Sequence, residues 1–231
     1  MGLSPNDLRQ VIVLQNATDD DLKLIIQNSL VRSIEEGGFF FFQGDSADHI
    51  YVLTHGQVKL MQASPGGQQV NLRTIYPWEM FGALGAVHGA EARYPATAET
   101  LEDSLALAIK AVFFKEIMQT RPYLSAGLMQ LMTSYIQEIQ SRYRELATER
   151  VEQRIARALL RLTSQSGQKA NEGIDLTFSR QDLAEMSGTT LYTVSRVLAK
   201  WERQDLIEAR REHVRVLIPH GLVKIAEGLE K

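Results

Sequence analysis

A chain of 231 residues, 44% hydrophobic and 23% charged, has material for two globular domains with proper cores. It holds no cysteine, which excludes disulfides, thiolate metal sites, cysteine-ligated iron–sulfur clusters and cysteine nucleophiles. The net charge of −3 is unevenly spread: residues 151–231 carry 13 Lys and Arg against 11 Asp and Glu, a net +2, which leaves −5 on residues 1–150. Local field outweighs total charge, so a DNA-binding C-terminal part is compatible with this balance.

Thr18 with Asp21 three residues on, then Leu22, Ile25 and Ile26, is a capping box ahead of helical apolar spacing. Residues 34–109 then read as short strands and turns. "FFFF" (39–42) precedes Gln43-Gly44-Asp45, and "HIYVLTHGQVKLM" (49–61) is followed by the turn "SPGG" (64–67) and by "QVNLRTI". Leu105, Leu107 and Ile109 share a face of a last strand pair near 96–109. Many short strands at close spacing imply an all-β sandwich or jelly roll.

Residues 110–120 read as a linking helix and 123–148 as a long one. Along the latter, Leu128, Met132, Tyr135, Ile139, Arg142 and Leu146 follow 4-3-4-3-4 spacing. That is a seam for a two-stranded coiled coil joining two copies, or a stripe packed on its own domain. "RVEQRIARALLRL" (150–162) is amphipathic, with Val151, Ile155, Ala158, Leu159 and Leu162 inward, and the polar stretch 163–173 reads as a surface loop. No run of about 18 apolar residues marks a membrane span, and no basic-then-apolar N-terminal stretch marks a secretory signal, so a cytoplasmic location is expected.

Near the C-terminus, Ser179 and Asp182 form a second capping box, before Leu183, Ala184 and Met186. The helix stops at Ser187-Gly188, where glycine supplies positive φ, and Thr190 caps the next one. On that helix Val194, Val197, Leu198 and Trp201 face inward, leaving Leu191, Tyr192, Ser195, Arg196 and Lys200 on the open face. Two helices joined by a glycine turn are the helix-turn-helix layout, in which the start of the second helix meets base edges in the major groove. Arg196 is expected to read a guanine through O6 and N7, with Ser195 and Tyr192 as further base contacts. Ser179, Arg180, Thr190 and Lys200 suit phosphates, which fix register without reading sequence. The alternating stretch 206–219, with Arg210 and Arg211 at its turn, reads as a basic β-hairpin wing that adds phosphate contacts.

The chain resembles the CRP/FNR family of bacterial transcription regulators over nearly its whole length. The sensor resemblance rests on "GDSADHIYVLTHGQVKL" (44–60) and "MFGALGAVHGAEARYPATAET" (80–100), the DNA-binding one on "FSRQDLAEMSGTTLYTVSRVLAKWERQDLI" (178–207). The resemblance implies an α+β fold: an N-terminal β-roll, a cyclic-nucleotide-binding-like jelly roll, over 1–118; a dimerisation helix over 119–149; and a winged helix-turn-helix over 150–231. It implies a homodimer on an inverted repeat of double-stranded DNA, with half-sites about one helical turn apart. It also implies control by a small ligand or a redox or gas signal, and a contact of loop 163–173 with RNA polymerase. No catalytic or metal-ligating set is identified.

The sequence departs from the family pattern in two places. Tyr192 stands where the base-reading glutamate usually sits, so the guanine contact of Arg196 is retained and the rest of the half-site is left open. In the sensor, Gly82 and Arg93 match the cyclic-AMP-binding members, but Ala83 and Tyr94 replace the glutamate and serine that hold the nucleotide. Gly82, Arg93, Tyr94, Tyr135 and Ile139 remain the candidate effector pocket, with cyclic AMP disfavoured. An iron–sulfur cluster is excluded for want of cysteine. Haem stays open, with His49, His55 and His88 in the sensor. Two other functions remain as alternatives: a metal-dependent β-roll enzyme, and a regulatory nucleotide-binding subunit that does not touch DNA.

Overall fold

The computed structural model describes residues 3–63, 69–87, 92–165, 167–170, 173–210 and 212–229. The turn 64–67, His88 and Arg211 lie outside them. The chain divides into two compact units, 1–138 and 139–231.

The first unit opens with α1 (Pro5–Leu8) and α2 (Asp19–Gln27), the latter capped by Thr18, whose side chain accepts from the Asp21 amide. Then follow β1 (Ser29–Ile34), β2 (Phe39–Phe41), β3 (His49–His55), β4 (Val58–Ala63), β5 (Gln69–Ile75), β6 (Met80–Phe81), α3 (Ala83–Val87), β7 (Thr97–Thr100) and β8 (Ser104–Lys110). They form two antiparallel four-stranded sheets, ordered β1-β8-β3-β6 and β2-β7-β4-β5. The interleaved order is that of a roll, since neighbours in each sheet are mostly far apart in sequence. β3 and β8 bury both faces at their centres, which explains their near-continuous apolar runs. Leu105, expected to share a face with Leu107 and Ile109, is exposed while the other two are buried.

The roll interior is aromatic. Phe40, Phe41, Tyr51, Phe81 and Tyr94 are all buried and in mutual ring contact, with Tyr94 stacked on Phe41 at a centroid distance of 3.7 Å. The Tyr94 hydroxyl donates to the His49 carbonyl at 2.7 Å, which satisfies its only polar atom.

Next come α4 (Ala111–Thr120) and α5 (Pro122–Thr148). The first half of α5 packs Leu124, Leu128 and Leu131 into the roll core. The Tyr135 hydroxyl donates to the Met80 carbonyl at 2.9 Å, and the Arg73 guanidinium lies 4.3 Å from its ring centroid. Arg73 also bonds Glu79 at 2.7 Å and faces Glu138 at 3.6 Å. The positions left exposed are Met129, Ile136, Ile139, Tyr143 and Leu146. The free apolar stripe is thus offset by one residue from the expected seam at Leu128, Tyr135 and Arg142, and coincides with it at Ile139 and Leu146.

The second unit contains the end of α5, then α6 (Val151–Gln165), β9 (Gln168–Ala170), β10 (Gly173–Thr177), α7 (Arg180–Ser187), α8 (Leu191–Glu202), β11 (Ile207–Arg210), β12 (His213–Val216) and α9 (Pro219–Ala226). Residues 163–173, expected as a loop, include the last turn of α6 and the edge strand β9, which pairs with β10. That strand shows no apolar alternation because it is short and half-exposed; its partner supplies the ladder. The sheet order is β11-β12-β10-β9. Ile155, Leu159, Leu183, Val194, Leu198, Trp201, Val214 and Leu222 form the core of this unit.

Candidate nucleic-acid interface

α7 and α8 meet at a turn that local chemistry dictates. The Ser179 hydroxyl accepts from the Asp182 amide and the Asp182 carboxylate accepts from Ser179 in return, which closes the capping box. α7 ends at Gly188, with φ 60° and ψ 47°, in the left-handed region where a Cβ is penalised. Thr190 then caps α8 by accepting from the Thr193 amide at 3.2 Å.

With Val194, Val197, Leu198 and Trp201 buried, the opposite side of α8 is open. Tyr192 is 75% exposed, and Leu191 and Arg196 are exposed beside it. Among the described residues the Arg196 guanidinium has no hydrogen-bond or ion-pair partner, so all its donors are available to a ligand. Ser195 is half-buried and accepts from Arg180 at 3.3 Å. Arg180 and Ser195 are therefore brought together, one from each helix. Lys200 is turned to Glu152 of α6, with both carboxylate oxygens near 3 Å, and must leave that partner to reach a phosphate.

In the hairpin, Arg210 pairs with His213 across the turn and is exposed. Arg215 is held differently: it grips Asp175 of β10 with two bonds of 2.7 and 3.3 Å. This bond holds the Asp175 carboxyl below its usual range, with the charge of Arg215 adding to the effect.

Several residues that fix this surface gave no motif. Arg154 of α6 donates from Nε to Ser187 O at 2.9 Å, from Nη2 to Gly188 O at 3.2 Å and from Nη1 to Glu149 O at 3.0 Å. It thereby satisfies carbonyls at the end of α7, which have no partner within the helix. Arg157 grips Glu149 at 2.8 and 2.9 Å, and Arg161 grips Glu145 at 2.8 and 3.0 Å. These three arginines share one face of α6 at 3-4 spacing, and the two glutamates lie four apart, Glu145 on α5 and Glu149 just past its end. That charge pattern is the signal from which the contacts were readable.

The candidate effector residues divide. Gly82, at φ 76°, packs on Tyr94 and Tyr51, where an added Cβ would lie 3.2 and 3.3 Å from their rings. Tyr94 is buried and Tyr135 reaches the Met80 carbonyl next to this group. Arg93 points the other way, donating to the Gly44 carbonyl at 2.7 Å, and Ile139 is exposed on α5. Burial pushes the Tyr94 hydroxyl up strongly and that of Tyr135 up to about 12, so both stay neutral donors at physiological pH. Among the described residues no three His, Asp or Glu side chains are placed to hold a metal ion. No helix among them is long and apolar enough to cross a membrane.

Residues 31–121 match the cyclic nucleotide-binding domain, and 153–225 match the Crp-like helix-turn-helix domain. A roll of the nucleotide-binding type followed by that DNA-binding domain defines a transcription regulator. The chain belongs to the CRP/FNR family of such regulators. It is 28% identical over 200 residues to the transcriptional activator protein Anr of Pseudomonas protegens, covering 85% of this chain and 80% of that one. To the cyclic AMP receptor protein of Thermus thermophilus it is also 28% identical over 200 residues, 86% of this chain and 88% of the relative. The c-di-GMP responsive global regulator CLP of Xanthomonas campestris shares the fold, with a TM-score of 0.76 at 20% identity over 86% of this chain and 99% of that one.

Proposed function

We propose that this regulator is a homodimer that reads an inverted repeat through Arg196 and is controlled by a small ligand or a redox or gas signal. One observation carries the reading: Arg196 stands exposed in the second turn of α8, without a partner among the described residues, on the face that no core residue uses. Ser179, Arg180, Thr190, Lys200, Arg210 and Arg211 take the phosphate roles expected from the sequence, with Ser195 and Tyr192 on the same helix as further base contacts. The exposed stripe of α5 from Met129 to Leu146 supports pairing with a second copy. The reading assigns no catalytic step to the chain, and a contact with RNA polymerase through residues 163–173 belongs to it. Cyclic AMP does not fit the roll in the family manner, because Tyr94 fills the interior with its ring where a phosphate-holding serine is needed.

The test is selection of binding sites from random duplexes with the parent protein and with Arg196→Ala. A bidentate guanine contact is worth about 1–3 kcal/mol, or roughly 5- to 150-fold in discrimination. The variant should lose preference at one symmetric guanine and keep the remaining positions. Identical site preferences in the two proteins would remove Arg196 from base reading.

A further inference from the structure

On the first unit a cavity of about 640 Å³ opens between the segment Ser46–His49, Arg93 and the start of α4. It has no part in the DNA-binding reading. Strand alternation explains why Arg93 faces it: neighbouring side chains on an extended segment point to opposite sides, and Tyr94 takes the inside. The segment is held by the bridge between Ser46 and Arg93, and by the Arg93 bond to the Gly44 carbonyl, which fixes the guanidinium and, among the described residues, leaves other N–H donors unused.

The charge of this cleft is one-sided. Among the described residues Arg93, Lys110 and Lys115 line it against one carboxylate, Asp48, whose Oδ1 already accepts from Ser46 at 2.8 Å. Among the described residues neither lysine has an acidic partner within ion-pair distance. His49 lies in the same field: burial first, then the charges of Arg32 and Lys110, hold its imidazole below the ordinary range against the pull of Asp48. α4 begins at the rim, with Lys110 as N-cap and no side chain capping the first turn. The Ala111 amide donates to the Asp48 carbonyl at 2.8 Å, and the positive end of the helix adds to the lysines rather than offsetting them.

Three cations and a helix start around a volume typical of small-molecule sites call for a compact, multiply charged oxyanion. We propose that this cleft binds a small phosphorylated metabolite, with Arg93, Lys110 and Lys115 on the phosphoryl oxygens. The proposal is independent of Arg196 and of dimerisation.

Isothermal titration of the full chain with sodium pyrophosphate, and separately with citrate, tests it in low-chloride buffer without DNA. The parent protein should bind one pyrophosphate per chain, and more tightly than citrate. Lys110→Gln combined with Lys115→Gln should weaken binding at least tenfold. Val112→Glu should do the same by placing a carboxylate at the mouth; Val112 is 69% exposed, so its replacement leaves the core intact. Arg196→Ala should titrate like the parent, which separates this site from the DNA-binding surface. No saturable heat, a loss on Arg196→Ala alone, or unchanged binding in Val112→Glu would overturn the site. Equal affinity for citrate would overturn the phosphoryl assignment.

Discussion

Replacing Arg154 by lysine tests whether one forked side chain sets the helix-turn-helix geometry. The guanidinium holds three backbone carbonyls at once, those of Ser187, Gly188 and Glu149, at 2.9, 3.2 and 3.0 Å. An ammonium keeps the charge but sits at one point, so it can serve one of these sites and abandons two. A hydrogen bond from a charged donor contributes about 1.5–3 kcal/mol, and partial exposure favours the low end. The expected loss is about 2–3 kcal/mol for Arg154→Lys and about 1 kcal/mol more for Arg154→Ala. The two tryptophans fall in different units, so a Trp78→Phe background leaves the fully buried Trp201 as reporter of the second unit alone. With a urea slope of about 1–2 kcal/mol/M, the midpoint should fall by roughly 1–3 M. Duplex binding by the folded variant should weaken as well, because the carbonyls that fix the turn are released. A lysine variant with the parent's midpoint would mean that the fork holds nothing the chain does not hold elsewhere.

Gly188→Ala should cost about 1–2 kcal/mol for a β-carbon in the left-handed region, and lower the melting point of the second unit by roughly 5–10 °C. The added Cβ would lie 2.6 Å from Leu146 Cδ2, the end of a flexible, exposed side chain, so strain at φ dominates and Gly188→Asn should be milder in the same melt. Ile139→Asp places a charge on the exposed stripe of α5 without touching the core; light scattering should show a shift from dimer to monomer, with secondary structure unchanged by circular dichroism. Asp175 has its folded pKa depressed by Arg215, so its contribution is present above the unfolded value near 4 and lost as pH falls through the lower folded value. Acid titration of Trp201 fluorescence should therefore show a shallower loss below pH 4 in Asp175→Asn than in the parent.

The helix-turn-helix was legible because its determinants are local. Ser179 with Asp182, the glycine at 188 and the cap at Thr190 each act within four residues, and the structure places every one in the expected bond. The roll was legible as short strands, but β3 and β8 are buried on both faces, so alternation could not tell which side Leu105 would take. α9 went unread although Pro219 stands at its start, a position suited to proline, because the apolar run after it is only a few residues long. The Arg154 bonds to Ser187 and Gly188 and the stacking of Tyr94 on Phe41 join positions 33 or more residues apart, beyond any periodicity in one segment.

The offset seam of α5 has a physical cause with a functional consequence. A helix that lies on its own roll and faces a second copy must carry two apolar stripes, and the residues of each repeat at threes and fours. Leu128, Met132 and Tyr135 therefore scan as a seam as well as Met129, Met132 and Ile136 do. What separates them is the company each keeps: Leu128 enters the roll core, and Tyr135 is held by Met80 and covered by Arg73. Arg73 in turn is ringed by Glu79 and Glu138, so pulling Tyr135 from its place exposes a partly buried cation to the loss of several contacts together. Tyr135 and Ile136 are adjacent, about 100° apart around the helix axis. Any signal that changes what the roll offers Tyr135 must turn or shift the exposed stripe with it, and it can do so only by binding the two arrangements with different affinity. In the proposed dimer, pairing along Met129, Ile136, Ile139, Tyr143 and Leu146 is coupled to the roll in part through Tyr135, which makes Tyr135→Phe, lacking only the bond to Met80, the least invasive way to loosen that coupling.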